Sequence, residues 1–438
     1  MSKNRIVFLF SCIFLLLFLI FRVSYQPGSD NDLSRLGGII AIARYNELNI
    51  DRTVQLATDD KVRNDEKYYS SKPPLLNVIL GKTIRLAFLL YKPALLDNDV
   101  AIYRVSTMLA VVFPLCGIYV LFYILISSSL NISSVRSVFF SLFLVLGTLL
   151  FAYSRYLTNH VLEAFIQLSV FILLLKGFEG NGAKKTVLLG FLLSVLLALD
   201  ITYGIIAIPV TVIYLWIRER ARFIKFLPFL CAGLIPVVVF HFILSYMQFG
   251  ILFPPQLFPE KYLSYEGSKW VGTLTGMLAL NESLIIRIFN YSFGTYGFFL
   301  YQPLLILPFL VREDWKDLLF KYITVILLVY MLFNAVMQAD YGGSSYGPRR
   351  FLPLIPLFYF YVVKEVHSFR KDRKWRILAV TLFIVNFLFS FLGYVNTWGN
   401  WDFFMNYSSN KRLYFPLLFT IRDVLSSYKL DWIFTWMY

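Results

Sequence analysis

The sequence predicts an all-α polytopic membrane protein with about eleven transmembrane helices, and three observations lead there. Of 438 residues, 58% are hydrophobic, 18% aromatic and only 15% charged, which is more apolar surface than a soluble domain of this length could bury. Apolar stretches near the roughly 20 residues needed to cross a hydrocarbon core of about 30 Å recur from Ile6 to Tyr394. Basic residues punctuate alternate gaps between these stretches, as cytoplasmic loops do. The formal charge of +15 therefore reads as membrane topology, and no nucleic-acid partner is expected.

The first apolar stretch, residues 6–24, follows Lys3 and Arg5 and runs outward. No small-x-small cleavage site follows it, so it reads as an uncleaved anchor. The chain then stays polar to Lys72, Pro73 and Pro74. Residues 75–92 are apolar but carry Lys82 and Arg85, which suits a juxtamembrane helix at the surface better than a span. Residues 26–100 thus form a first external loop containing juxtamembrane helices. Spans two to four are expected at 101–127, 137–152 and 161–175, with Arg136 and Lys176 on the cytoplasmic side.

Residues 187–217 would make a helix of about 46 Å, too long for one crossing, and both ends are basic. They are read as two short helices meeting at Asp200-Ile-Thr-Tyr-Gly204. Span seven is 227–245, and an external loop then runs to Asn290. Its acids Glu260 and Glu266, with the aromatics around them, read as a solvated interfacial surface. Spans eight to eleven are 297–311, 318–337, 351–363 and 377–394. With no internal repeat, residues 1–394 form one transmembrane domain and 395–438 an external tail. Cys12, Cys116 and Cys231 all lie in apolar stretches without metal-site or disulfide spacing, so they read as core residues.

Several polar residues stand out against this background. Asp30, Asn31 and Asp32 lie at the mouth of span one, where a carboxylate could deprotonate an acceptor brought to a lipid-linked donor. Asp and Asn are also favoured helix N-caps, and spacing does not separate the two roles. Lys72 precedes two prolines that fix the backbone at the depth of a lipid phosphate, although simple snorkelling would use it equally well. Asp340 to Arg350 form a glycine-rich turn ending in Arg349 and Arg350, whose guanidinium groups can fork onto phosphate oxygens or anchor a span end. Asn159 and His160 start span four, His160 on its own reading more as a structural histidine than as a site residue. Asp200 interrupts a hydrophobic hairpin, where a charge costs roughly 2.5–3.5 kcal/mol and so should face a cavity or a partner.

Together these positions resemble the membrane glycosyltransferases that use polyprenyl-phosphate sugars, the GT-C superfamily containing protein O-mannosyltransferases and bacterial aminoarabinose transferases. The carriers are Asn31-Asp32, the Tyr-Tyr-Ser-x-Lys-Pro-Pro segment at 68–74 with Tyr69, Tyr-Ser-Arg at 153–155 ending in Arg155, and Gly-Gly-x-x-Tyr-Gly-Pro-Arg at 342–349 with Tyr346. The resemblance implies an external-face site with an essential acid in the first loop, which maps onto Asp32. The sequence departs from many relatives in having Asn31 in place of an adjacent acid, and Asn159-His160 in place of an acid before span four.

The expected activity is transfer of a sugar from a polyprenyl-phosphate carrier to a lipid, glycan or protein acceptor on the external (periplasmic or lumenal) face of a bilayer, in a bacterial inner membrane. Asp32 would be the catalytic base. Lys72, Arg349, Arg350 and Tyr346 would bind donor phosphate, and Asn31, Tyr69, Arg155, Asn159, His160 and Asp200 would line the site. No nucleotide is needed, because the donor is already activated, and no metal ligand is assigned. A divalent metal is the one cofactor the resemblance leaves possible. The alternative is a transporter or flippase of a lipid-linked glycan, since transporters also use broken helices. A structural subunit of an envelope complex would leave Asp32, Lys72 and Arg349 unexplained.

Overall fold

The structure, a computed structural model, describes residues 3–178, 181–268, 282–311, 313–337, 341–342, 345–368, 372–398 and 416–427. Apart from one short hairpin, its regular elements are helices. Along the chain come α1 (Lys3–Arg22), α2 (Asp30–Ile40), β1 (Lys61–Asn64), β2 (Lys67–Ser70), α3 (Pro74–Tyr91), α4 (Asp99–Thr107), α5 (Phe113–Ser129), α6 (Ser134–Leu146), α7 (Leu149–Ala152) and α8 (His160–Lys176). They are followed by α9 (Gly182–Leu199), α10 (Ile201–Glu219), α11 (Phe223–Phe249), α12 (Pro259–Tyr262), α13 (Leu284–Ser292) and α14 (Phe298–Tyr301). Last are α15 (Leu318–Met337), α16 (Ile355–Ser368), α17 (Arg373–Val395) and α18 (Pro416–Ser427).

Among the described residues, eight helices are long and apolar enough to cross a membrane. They are α1, α3, the stretch Asp99–Ser129 that includes α4 and α5, α9, α10, α11, α15 and α17. Four of the eleven expected stretches are outside this set and α3 is added to it; α8 still matches the expected span 161–175 in position and falls short in length alone. Residues 137–152 split at Gly147-Thr148 into α6 and α7, and α8 has 17 residues. Residues 297–311, expected as a span, form α14 and then a 3₁₀ helix from Pro303 to Leu310. Pro303 and Pro308 withhold the N–H groups an α-helix needs there, and eight 3₁₀ residues reach only about 16 Å. The start of the 351–363 stretch is also 3₁₀, around Pro353.

The chain folds as two compact units. One comprises Ile20–Pro114 and Arg155–Ala279, and in it α2 continues through a π-helical turn, Ala41–Tyr45, that ends at Asn46 in the left-handed region. The segment at 61–70, read from sequence as plain loop, is an antiparallel hairpin with Val62 opposite Tyr69. Its alternation points Val62 and Tyr69 into a cluster with Phe249, Tyr262 and Leu263, so Tyr262 and Tyr265 pack inward while Phe253, Phe258, Glu260 and Glu266 stay exposed.

Lys82 and Arg85, which argued against α3 as a span, both have partners in this unit. Lys82 bonds the Asn46 side chain, and Arg85 donates to the Ala43 and Arg44 carbonyls at 2.9 and 3.1 Å. Those are the orphan acceptors of the π-helical end, so the charges complete a helix terminus and do not by themselves exclude a crossing. α9 and α11 pack so closely that a Cβ at Gly233 would lie 2.0 Å from the Val187 carbonyl oxygen.

The other unit comprises Met1–Leu19, Leu115–Ser154 and Leu280–Tyr438. Just past the 351–363 stretch it buries a charged cluster: Lys364 donates to Asp314 at 2.5 Å, Tyr361 donates to Asp317 at 2.7 Å, and Glu365 is only 4% exposed. Burial, and then the Asp314 charge, push the Glu365 carboxyl up to about 7 from an ordinary 4.5. Between those values the folded chain holds a proton that the unfolded chain has released, so stability falls as pH rises through the window. Glu365→Gln should remove that slope. Thermal unfolding at about pH 5 and about pH 8 should differ less in the variant than in the wild type, and an unchanged difference would assign the slope elsewhere.

Candidate active site

α2 carries the first site residue, and its start is built by the residues that drew attention in the sequence. Ser29 is the N-cap, its hydroxyl accepting the Asp32 N–H at 3.3 Å, and Asp32 Oδ2 reaches back to accept the Gly28 N–H at 3.1 Å. Capping therefore falls to Ser29, with Asp32 closing the reciprocal contact that an acid in the first turn can make. Asp30 instead holds the loop at 58–59: its carbonyl accepts from the Thr58 hydroxyl at 3.0 Å and its Oδ1 from the Asp59 N–H at 3.4 Å. The Asp32 side chain is buried, whereas Asn31 is half-buried.

One turn further along α2, Arg35 is buried and donates to Asn159 Oδ1 at 2.8 Å and to the Leu157 carbonyl at 3.2 Å. The Asn159 amide donates in turn to the Leu199 carbonyl at 3.0 Å and to Glu163. Glu163, fully buried, meets His160 Nδ1 through its other oxygen at 3.0 Å. Asp200 completes the group, with donor atoms of His160, Glu163 and Asp200 all within 4.8 Å of one another. Its Oδ1 also caps α10, accepting from the Thr202 N–H at 2.9 Å, the Thr202 hydroxyl at 2.6 Å and the Tyr203 N–H at 3.3 Å. A fully buried Glu163 held this close to the half-buried Asp200 carboxylate is costly, even with Arg35 beside them. That cost is characteristic of functional sites.

The His160, Glu163 and Asp200 group is the one set of three or more metal-donor side chains this close among the described residues. One imidazole and two carboxylates suit a divalent cation of the zinc or manganese kind. An ion there would take the place of the His160 contact to Glu163, since both Glu163 oxygens are engaged.

Lys72 follows β2 and forms an ion pair with Asp60, whose other oxygen accepts from the Ser71 hydroxyl at 2.5 Å. The two side chains are only 16% and 13% exposed, so the pair is mostly withdrawn from water. The Ser34 hydroxyl of α2 bonds the Ser70 hydroxyl at 3.0 Å, fixing this turn against the helix of Asp32. Tyr69, expected to line a site, packs edge-on against Phe249 at 5.9 Å in the core beneath the hairpin. Arg155 lies over the Tyr156 ring at 5.7 Å, and its carbonyl accepts the Ser24 N–H at 3.1 Å.

The glycine-rich turn belongs to the other unit, and its Asp340, Gly343 and Ser344 lie outside the described residues. Tyr346 is buried, its hydroxyl donating to the Phe389 carbonyl at 2.7 Å while its own carbonyl accepts from the Tyr153 hydroxyl at 2.6 Å. It is built into the scaffold that holds the turn. Arg349 stands over the Trp398 ring at 5.3 Å, and Arg350 donates to Asn334 Oδ1 at 3.4 Å.

Arg35, Asp60 and Glu163 were not foreseen. Glu163 had a signal, a charge inside an apolar run three residues after His160, the same oddity that marked Asp200. Arg35 stands three residues after Asp32 on one helix. Asp60 had no sequence signal, because its pairing depends on the hairpin that brings Lys72 back.

No known family profile matches the sequence, and no curated protein matches it. Among solved structures, the chain is similar to ArnT from Cupriavidus metallidurans bound to undecaprenyl phosphate, with a TM-score of 0.54 at 13% identity over 88% of this chain. It spans 64% of that protein's length. An oligosaccharyltransferase from Archaeoglobus fulgidus in the apo form gives a TM-score of 0.47 at 11% identity, covering 90% of this chain and 56% of that one. The likeness to ArnT shows the fold, an all-α polytopic arrangement of apolar helices.

Proposed function

We propose that this protein transfers a sugar from a polyprenyl-phosphate carrier to an acceptor on the external face of the membrane. The observation that carries the reading is the buried polar network of one unit, in which Asp32 and Arg35 share α2 and Arg35 leads through Asn159 to Glu163, His160 and Asp200. A fold shared with ArnT, which that structure holds with undecaprenyl phosphate, supports the donor class.

In this reading the Asp32 carboxylate takes the proton of the acceptor hydroxyl or amine as its heteroatom bonds the anomeric carbon. The bond from that carbon to the phosphate oxygen breaks, and polyprenyl phosphate leaves with the electron pair. Lys72 stabilises the charge that develops there. The tie from Arg35 to Asn159 keeps Glu163 oriented at the wall of the site. A divalent cation held by His160, Glu163 and Asp200 would add Lewis-acid assistance, and loss of turnover on chelation would reveal it. The assignment of Arg349, Arg350 and Tyr346 to donor binding rests on the sequence resemblance and is tested by their own variants.

The transporter reading drew on the broken hairpin at Asp200. That break has a local purpose, because the Asp200 carboxylate caps α10. Purified protein incubated with a panel of polyprenyl-phosphate sugars should release polyprenyl phosphate in the presence of acceptor. Movement of intact donor across vesicle membranes without release would instead establish transport.

A further inference from the structure

The unit containing α6 and α17 has a groove of about 760 Å³ that the proposed reaction does not use. Its rim is polar and cationic, made by Arg136 near the start of α6, Trp375 and Arg376 near the start of α17, and His367 at the end of α16. Below the rim the wall is aromatic. Phe383 of α17 is its centre, with Phe143 edge-on at 4.6 Å and Phe139 and Phe140 at 6.4 and 6.2 Å.

Three features of the groove match one ligand chemistry. First, Arg136 and Arg376 are both exposed, and each stands in the first turn of a helix, where the macrodipole adds positive potential. The neighbouring acid, Asp372, engages its carboxylate with the Lys374 and Trp375 N–H groups of α17 at 2.8 and 3.5 Å. Second, the lining on α17 runs from Trp375 to Leu388, which at a rise of about 1.5 Å per residue is roughly 20 Å. That is close to the depth of one leaflet of a hydrocarbon core of about 30 Å with its interface. Third, Phe139, Val380, Ile384 and Leu388 are exposed along this length, so the wall is open for an alkyl chain to lie against. Basic residues with a tryptophan at one end of an apolar furrow one leaflet deep are complementary to a phosphate headgroup with its chain.

We propose that this groove binds an anionic phospholipid of the cytoplasmic leaflet, with its phosphate on Arg136 and Arg376 and an acyl chain along Phe139, Phe143 and Phe383. The side follows from the positive-inside rule, because Arg136 and the run from Lys364 to Arg376 are the basic gaps. The site is thus a second lipid site, made of residues that the proposed chemistry does not use. It depends on charge and groove shape alone, so it holds whether or not the chain is a transferase.

Native mass spectrometry of the full-length protein with equimolar phosphatidylglycerol, phosphatidylcholine and a polyprenyl phosphate tests it. Phosphatidylglycerol should be retained over phosphatidylcholine. Arg136→Gln or Arg376→Gln should each weaken that preference about fivefold, and the pair together on the order of 30-fold. Phe383→Trp, which fills the groove and keeps its aromatic wall, should reduce retention of phosphatidylglycerol without restoring phosphatidylcholine. The exposed single arginine variants keep the test available if the double variant does not fold. Equal retention of the two phospholipids, arginine variants that bind like the wild type, or selective retention of the polyprenyl phosphate that survives Arg136→Gln would each overturn the assignment.

Discussion

Asp32→Asn is expected to lower the rate of sugar transfer by roughly 10²–10⁴-fold, the usual contribution of a positioned base, while leaving donor affinity nearly unchanged. The structure makes the asparagine a clean probe. Asp32 accepts the Gly28 N–H with one oxygen, and the Asn carbonyl can accept the same bond, so the start of α2 survives the change. Asp32→Ala removes that acceptor too and should lose about 1 kcal/mol of helix-start stability in addition to the rate. Comparing the two variants separates chemistry from architecture. Full turnover by a folded Asp32→Asn protein that binds donor would reduce Asp32 to a partner of Gly28 and end the mechanism proposed here.

The parts of the fold legible in the sequence were those set by hydrophobic length and by single residues with strong local rules. The break at Asp200 is an example. A charged residue in a 31-residue apolar stretch with basic ends had to mark a turn, and Asp200 caps α10 there. The stretch 297–311 is the counterexample. Its hydropathy suits a span, but Pro303 and Pro308 outweigh the apolar run, and the backbone becomes 3₁₀. α3 shows a third kind of difference, since Lys82 and Arg85 looked like interface markers until their partners on the π-helical turn appeared.

The candidate site was legible as a set of places more than as a set of pairs. Asn159, His160 and Asp200 stand out in the sequence as polar residues at or within apolar stretches, and the structure joins these three through Glu163. What joins them could not be read from spacing. Arg35 and Asn159 are bonded across a separation of 124 residues, and Lys72 meets Asp60 because a hairpin reverses the chain between them. Tyr69 and Tyr346 carry motif positions and yet serve packing, one in the core under the hairpin and the other holding the turn before Arg349.

Lys72→Ala should both weaken donor binding and slow transfer, because the loss of a charge-assisted contact to phosphate is worth roughly 1.5–3 kcal/mol, or about 10- to 150-fold. Taken alone that result would be ambiguous. Lys72 is also the counter-ion of Asp60, both side chains are largely buried, and removing one member of such a pair costs about 3–5 kcal/mol through the charge left behind. A destabilised loop next to α2 would reduce activity whatever the lysine does for the donor. The neutral pair Lys72→Met with Asp60→Asn resolves this, since replacing both charges leaves no orphan and is often close to neutral for stability. If the ion pair were the whole role of Lys72, the double variant would regain thermal stability and activity together. If Lys72 also holds the departing phosphate, stability should return while donor affinity and turnover stay at the level of Lys72→Ala. Recovery of wild-type donor affinity in the double variant would remove Lys72 from the phosphate site and leave it as a strut of the hairpin.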